Sequence, residues 1–169
     1  MPEFVSAETD PSEGLKAAFR RHASGVAVIT LLTAEGEPVG FTATSVTSLG
    51  SNPPLVSFNV ARGSSTWPHL LAAKHVAIHT LGATNLALAQ RMAADHTQRF
   101  VPQDWQRGPH QLPVFTSATS ALICSVREIH NVENNAVVIV DVEQTLLGAE
   151  DDALLYHQRH YLKPGEALN

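Results

Sequence analysis

Hydroxyl side chains crowd residues 40–68, GFTATSVTSLGSNPPLVSFNVARGSSTWP, and their spacing outlines a chemistry before any fold is assigned. In an extended chain alternate residues share a face, so Thr42, Thr44, Val46 and Ser48 point one way and Phe41, Ala43, Ser45, Thr47 and Leu49 the other. In the next run Val56, Phe58 and Val60 take one face and Leu55, Ser57 and Asn59 the opposite one. Two neighbouring strands thereby present small polar groups toward one place. Gly63-Ser64-Ser65-Thr66 then precedes a helical pattern, and a hydroxyl at a helix start sits beside free backbone N–H groups that also donate to an anion. The set suits a bound phosphate. Taken singly, each residue also reads as part of an ordinary Thr-rich strand or as a helix cap.

The other reactive side chains offer less. His75 and His79 are four apart on a predicted strand, about 13 Å at 3.3 Å per residue, which is too far to share one ion. His157 and His160 have no third ligand at a suitable spacing, so no metal site is expected. Cys124, the single cysteine, shares a strand face with Leu122 and Val126 and reads as a packed core thiol. There is no G-x-S-x-G elbow, no G-x-G-x-x-G and no G-x-x-x-x-G-K-[ST], so a nucleotide would have to sit on something other than a Rossmann or P-loop framework.

The elements that must position the hydroxyl cluster are mostly strands. Ser12 is expected to cap a helix through EGLKAAFRRHA. GVAVITLLT, the EGEP turn and VGFTATSVTS read as a β-hairpin, and PPLVSFNVA continues the sheet. A short helix from Thr66, a strand in HVAIHTLG and a helix in NLALAQRMAAD capped by Thr84 follow. Residues 95–113 are irregular, with Pro102, Pro109 and Pro113. SATSALICSVREIH and NAVVIVDVEQTLL then form a pair of long strands. The last element, 152–161, is expected to be short and helical or irregular. Six or more strands joined by short helices point to a closed antiparallel barrel in a single domain.

Composition narrows the partners. The 169 residues include 11 Lys plus Arg against 16 Asp plus Glu, a formal net charge of −5, which argues against nucleic acid or an anionic membrane as the main partner. No apolar run approaches the roughly 20 residues that span a bilayer. The first residues, MPEFVSAETDPSEG, lack the basic and apolar regions of a signal peptide, so a cytoplasmic protein is expected.

Residues 15–162 resemble the flavin reductase family with the FMN-binding split-barrel fold, the reductase components that supply reduced flavin to two-component monooxygenases. The resemblance is carried by GVAVIT, by GFTATSVTSLGSNPPLVSFNVARGSSTW, by LAQRMA, by Arg99-Phe100, by LPVF, by ALICSV and by LLYHQRHY. It implies a mainly β, antiparallel split barrel with short flanking helices, FMN or FAD as flavin, NADH or NADPH as co-substrate, a homodimer and an oxygenase component as partner. It further implies that Thr42, Ala43, Thr44, Ser45, Ser57, Phe58 and Asn59 line the ring and ribityl chain, and that Ser64, Ser65 and Thr66 meet the phosphate. Arg91 could add a bidentate phosphate contact, and Phe100 could pack at the dimethylbenzene edge or in the core. His157 and Tyr161 match positions near the nicotinamide, and as catalytic residues they are set against a surface or interface role. Reductases of this family usually carry Gly-Asp-His before the last long strand, where this chain has Glu133-Asn134-Asn135. A flavin carrier or sensor of the same fold, or an oxidoreductase with another acceptor, stands as the alternative.

Overall fold

The computed structural model describes residues 7–169. Helix α1 (Pro11–Arg20) starts one residue earlier than its expected cap. Proline at the first helical position lacks the N–H that would go unpaired and already has the right φ, and Asp10 accepts from the N–H groups of Ser12 and Glu13 at 2.8 and 3.0 Å. Ser12 therefore lies inside the helix. The expected hairpin forms from β2 (Ala27–Leu32) and β3 (Pro38–Ala43), which follow the two-residue strand β1 (Ser24–Gly25). Its turn closes through Gly36, whose φ of 82° suits a residue with no side chain. Both faces of β2 are covered, which explains why apolar residues take both sides of AVITLL and why its one polar residue, Thr30, is buried with its hydroxyl on Pro113 O.

The expected single strand through VGFTATSVTS is in fact two, β3 and β4 (Thr47–Ser51), separated by residues 44–46. That break falls where the chain crosses from one edge of the sheet to the other. Hydrogen bonding orders seven antiparallel strands as β3-β2-β6-β9-β10-β5-β4, with β5 at Pro54–Ala61, β6 at His75–Thr80, β9 at Ser120–Val132 and β10 at Asn135–Leu147. Strands β3 and β4 thus lie at opposite edges of the sheet, yet the chain passes from Ala43 to Thr47 in four steps, at most about 14 Å when fully extended. The edges must face each other. Phe41 of β3 lies 6.3 Å from Phe58 of β5, ring centre to ring centre, and the Asn59 N–H donates to Ser45 Oγ at 2.9 Å across the gap. The ladder does not close there; a side chain bridges it, giving a barrel with a seam.

Ile29, Leu31, Phe58, Val76, Ile78 and Val138 fill the interior with no exposed surface. Cys124 packs among them, and burial, together with the nearby Glu143 and Asp141 charges, pushes its thiol up to about 12. A thiol of that kind is inert at neutral pH.

The outer face carries the rest. Helix α3 (Leu86–Ala93) sets Leu88, Ala89 and Met92 against Val28, and a 3₁₀ turn precedes it in place of the expected Thr84 cap. The Thr84 hydroxyl donates instead to Asp151 at 2.8 Å. Residues 109–115 strap across the sheet, with Leu112 and Val114 (β8, Pro113–Val114, paired with β7, Gln106–Arg107) packed on Ala77, Ala121 and Ile123. Under the strap His79 is wholly buried. Its Nε2 accepts from the Phe115 N–H at 3.1 Å, so its Nδ1 carries the proton given to Val28 O, and desolvation lowers its pKa to about 4.

The last segment, expected to be helical or irregular, is a hairpin of β11 (Leu155–His157) and β12 (His160–Leu162), which continues β1 into a three-stranded sheet. Gln158 and Arg159 both have positive φ, 49° and 64°, the conformation of a tight two-residue turn. Among the described residues no helix is long and apolar enough to cross a membrane.

Candidate functional site

The alternation expected in β5 is realised. Val56, Phe58 and Val60 point into the barrel, while Leu55 and Ser57 are half-buried and Asn59 is exposed on the other face. At its end the chain turns tightly, with the Ser64 N–H on Ala61 O at 3.0 Å and the Trp67 N–H on Ser64 O at 3.2 Å. Helix α2 (Trp67–Ala72) follows, anchored by the buried Trp67 and Leu70. The Arg62 guanidinium lies 5.9 Å from the Trp67 ring and donates to Glu133 O at 2.8 Å. Its N–H donates to Asn134 O at 2.9 Å, so residues 133–135 lie directly beside this turn.

The turn holds an unsatisfied group. Ser64 Oγ is buried and has no hydrogen-bond partner among the described residues, a state that costs about 1–3 kcal/mol unless something else bonds to it. Ser65 is exposed. Thr66 is buried and, although it stands at the N-cap position of α2, makes no capping bond through its side chain, because its backbone is already helical rather than extended.

Beside the turn opens a cleft of about 140 Å³ whose walls include Gly40, Ser65, Thr66, His69, Arg99 and Phe100. Gly40 is required there, since a Cβ would stand 2.4 Å from Ile29 O. The Arg99 guanidinium donates to Gly40 O at 2.7 Å and to Ala94 O at 3.0 and 2.9 Å. Partial burial lowers its pKa, but an arginine keeps its charge in proteins. A half-buried cation, an exposed hydroxyl and the neighbouring orphaned hydroxyl make this an anion-accepting corner.

Several expected contacts are used elsewhere. Arg91 does not face the cleft: its guanidinium pairs with Asp104 and donates from Nε to Arg99 O at 3.1 Å, so it fixes the backbone of Arg99 instead. Thr42 Oγ1 donates to Ala89 O at 2.7 Å and thereby docks α3. Ala43 and Phe58 are buried in the barrel core, so the Phe58 ring supports the strand from beneath. Thr44 is exposed on the link between β3 and β4, and Ser45 holds Asn59 as described. Phe100 is half-buried, with its ring centre 5.7 Å from Phe115 and 5.8 Å from Trp105, and it also lines the cleft.

His157 and Tyr161 stand apart from this corner. Tyr161 lies across the hairpin from Tyr156, ring centres 5.2 Å apart. His157 lines a separate cleft of about 300 Å³ with Lys16, Phe19, Arg20, His22 and Arg159, and the two clefts share no wall residue. Sequence reasoning passed over Arg99 as a ligand. Its signal, an Arg directly before an aromatic, was on view, but choosing it over Arg91 needed the knowledge that Asp104 occupies Arg91.

This geometry has close counterparts among known proteins. A crystal structure of a flavin reductase domain protein from Arthrobacter sp. FB24 superposes with a TM-score of 0.88 at 41% identity, covering 92% of this chain and 97% of that one. The NADH:FMN oxidoreductase of Rhodococcus erythropolis is 38% identical over 174 residues, 97% of this chain and 90% of the relative. The reductase component of a flavin-dependent trigonelline monooxygenase from Acinetobacter baylyi is 27% identical over 90% of this chain and 49% of its own length. The sequence model of the flavin reductase like domain matches residues 19–165, every strand from β1 to β12 with helices α2 and α3, and the chain belongs to that family.

Proposed function

We propose that this chain is an NAD(P)H-dependent flavin reductase that takes FMN, or FAD, at the corner formed by residues 42–45, 57–59 and 64–66 together with Arg99, and supplies reduced flavin to a separate oxygenase component. The observation that carries the reading is the buried, unpartnered Ser64 hydroxyl one residue before Ser65, which lines the Arg99 cleft. The relatives supply the chemistry: one is named an NADH:FMN oxidoreductase and another the reductase component of a monooxygenase.

A flavin bound here supplies the hydride acceptor, so the protein needs few acids or bases of its own. The protein's work is positioning. Arg99 and the 64–65 hydroxyls neutralise and bond a phosphate. Ser45 fixes the Asn59 backbone, and the outward Ser57 and exposed Asn59 leave room and polar groups for a flat ring. Arg91, through Asp104 and Arg99 O, keeps the cation in place. Asn135, paired with Ala61 at the head of β10, offers an amide that can hydrogen-bond but never titrates, unlike the usual imidazole.

A homodimer completes this reading. Helix α1 has no buried residue and leaves Leu15 61% and Phe19 63% exposed, an apolar face that a twofold contact covers. His157, on the cleft beside α1, would then serve a site assembled from two chains. The deciding experiment mixes purified protein, FMN and NADH or NADPH without oxygen and follows loss of the flavin absorbance. Catalytic bleaching is expected, and its absence with both coenzymes would leave a flavin carrier.

A further inference from the structure

Outside the hydroxyl cluster, three side chains meet beside a cavity of about 350 Å³, which shares only His69 with the Arg99 cleft. His75 opens β6. Glu143 is the extra residue of a bulge in β10, lying between the pairs Val142–Cys124 and Gln144–Ile123. Such a bulge re-aims a side chain. His110 comes from the strap, where it and Gln111 hold φ of 54° and 61°, a conformation non-glycine residues seldom adopt.

The result is a compact donor set. The imidazoles of His75 and His110 are parallel, with centres 3.6 Å apart and planes 9° from each other. His75 Nε2 lies 3.5 Å from one Glu143 oxygen and His110 Nε2 2.8 Å from the other. One ligand atom from each residue falls within 4.8 Å of the others. Tetrahedral zinc with bonds of about 2.0–2.1 Å places its ligand atoms about 3.3 Å apart, close to the spacing here, and because an imidazole lone pair lies in the ring plane the two stacked rings must tilt out of parallel for both to face one ion. Two imidazoles and one carboxylate select Zn²⁺, Ni²⁺ or Cu²⁺ over the oxygen-seeking Mg²⁺ and Ca²⁺. Both histidines also line the cavity, which leaves a direction for a fourth ligand.

We propose that His75, His110 and Glu143 bind one divalent transition-metal ion of the zinc class, clamping the 109–115 strap to strands β6 and β10. The three residues come from segments 35 and 33 positions apart, so the ion ties together parts of the chain that local sequence does not. It lies on a different wall from the flavin corner and does not depend on that assignment.

The test uses the full-length protein after treatment with a chelator. Titration with Co²⁺ should saturate at one ion per chain and develop the visible bands of a four- or five-coordinate ion, and Zn²⁺ should displace it. Zinc at about a hundredfold excess over its dissociation constant should raise Tm by about 5–10 °C. Glu143→Gln, which keeps the side-chain shape, and His110→Ala, whose ring is partly exposed, should each weaken the ion about tenfold or more. Circular dichroism of both variants checks that they fold. Native protein that binds cobalt no better than His75→Ala/His110→Ala would assign any binding to other histidines and overturn the site.

Discussion

At the scale of the residue, the phosphate corner turns on which groups are free and which are already engaged. Among the described residues Ser64 Oγ has no partner and Arg99 bonds only carbonyl oxygens, so its charge is felt by the nearby Asp95 carboxylate but is bonded to none. Arg91 is neutralised by Asp104. Fluorescence titration should therefore show that Ser64→Ala/Ser65→Ala weakens FMN by about 10- to 100-fold, the worth of one charge-assisted hydrogen bond, and riboflavin by less than about threefold. Arg99→Ala should follow the same pattern. Equal losses for both ligands would remove the phosphate from this turn.

At the scale of the element, the strap is held to the sheet by groups that must stay neutral or satisfied. Thr30 Oγ1 donates to Pro113 O at 2.6 Å, and His79 bridges Val28 O to the Phe115 N–H. The folded pKa of His79, about 4, lies below the ordinary 6.5. Between those values the unfolded chain binds the proton and the folded chain does not, so stability rises with pH across this window and is lost as pH falls through it. The shift corresponds to about 3 kcal/mol from this one residue. Denaturant melts at pH 7 and pH 4.5 should show that loss. In His79→Gln, whose amide can donate to Val28 O and accept from Phe115, much of the pH dependence should vanish while stability at pH 7 changes little. A native slope that persists in the variant would place the titration elsewhere.

At the scale of the whole molecule, the proposed homodimer rests on the apolar face that α1 leaves exposed. Light scattering at micromolar concentration should give twice the 18.2 kDa chain mass. Leu15→Glu/Phe19→Glu should shift the population toward monomer, since it puts charge on two residues already more than half exposed and costs the folded chain little. A native monomer that still binds FMN would show that one chain builds the site.

The sequence by itself determined what depends on neighbours in the chain. Alternation laid out β5 with Phe58 inward and Ser57 and Asn59 outward, the long apolar β-branched runs marked β9 and β10, and the ordered motifs from GVAVIT to LLYHQRHY were enough to indicate the family. Only the tertiary structure decided matters of partnership across distance. Nothing local in VGFTATSVTS shows that it breaks at residues 44–46, because the break is imposed by the two edges of a rolled sheet. The Gln158-Arg159 turn lacks the usual Asn or Gly, so the final segment reads as helical or irregular until its pairing with β1 is known. Arg91 and Arg99 are alike until Asp104, 13 residues from Arg91, occupies one of them. His75 has no ligand partner at any sequence spacing, and finds two only because a bulge and a left-handed turn carry Glu143 and His110 to it. Periodicity is written residue by residue, whereas the saturation of a charge or a hydroxyl depends on what folding brings against it.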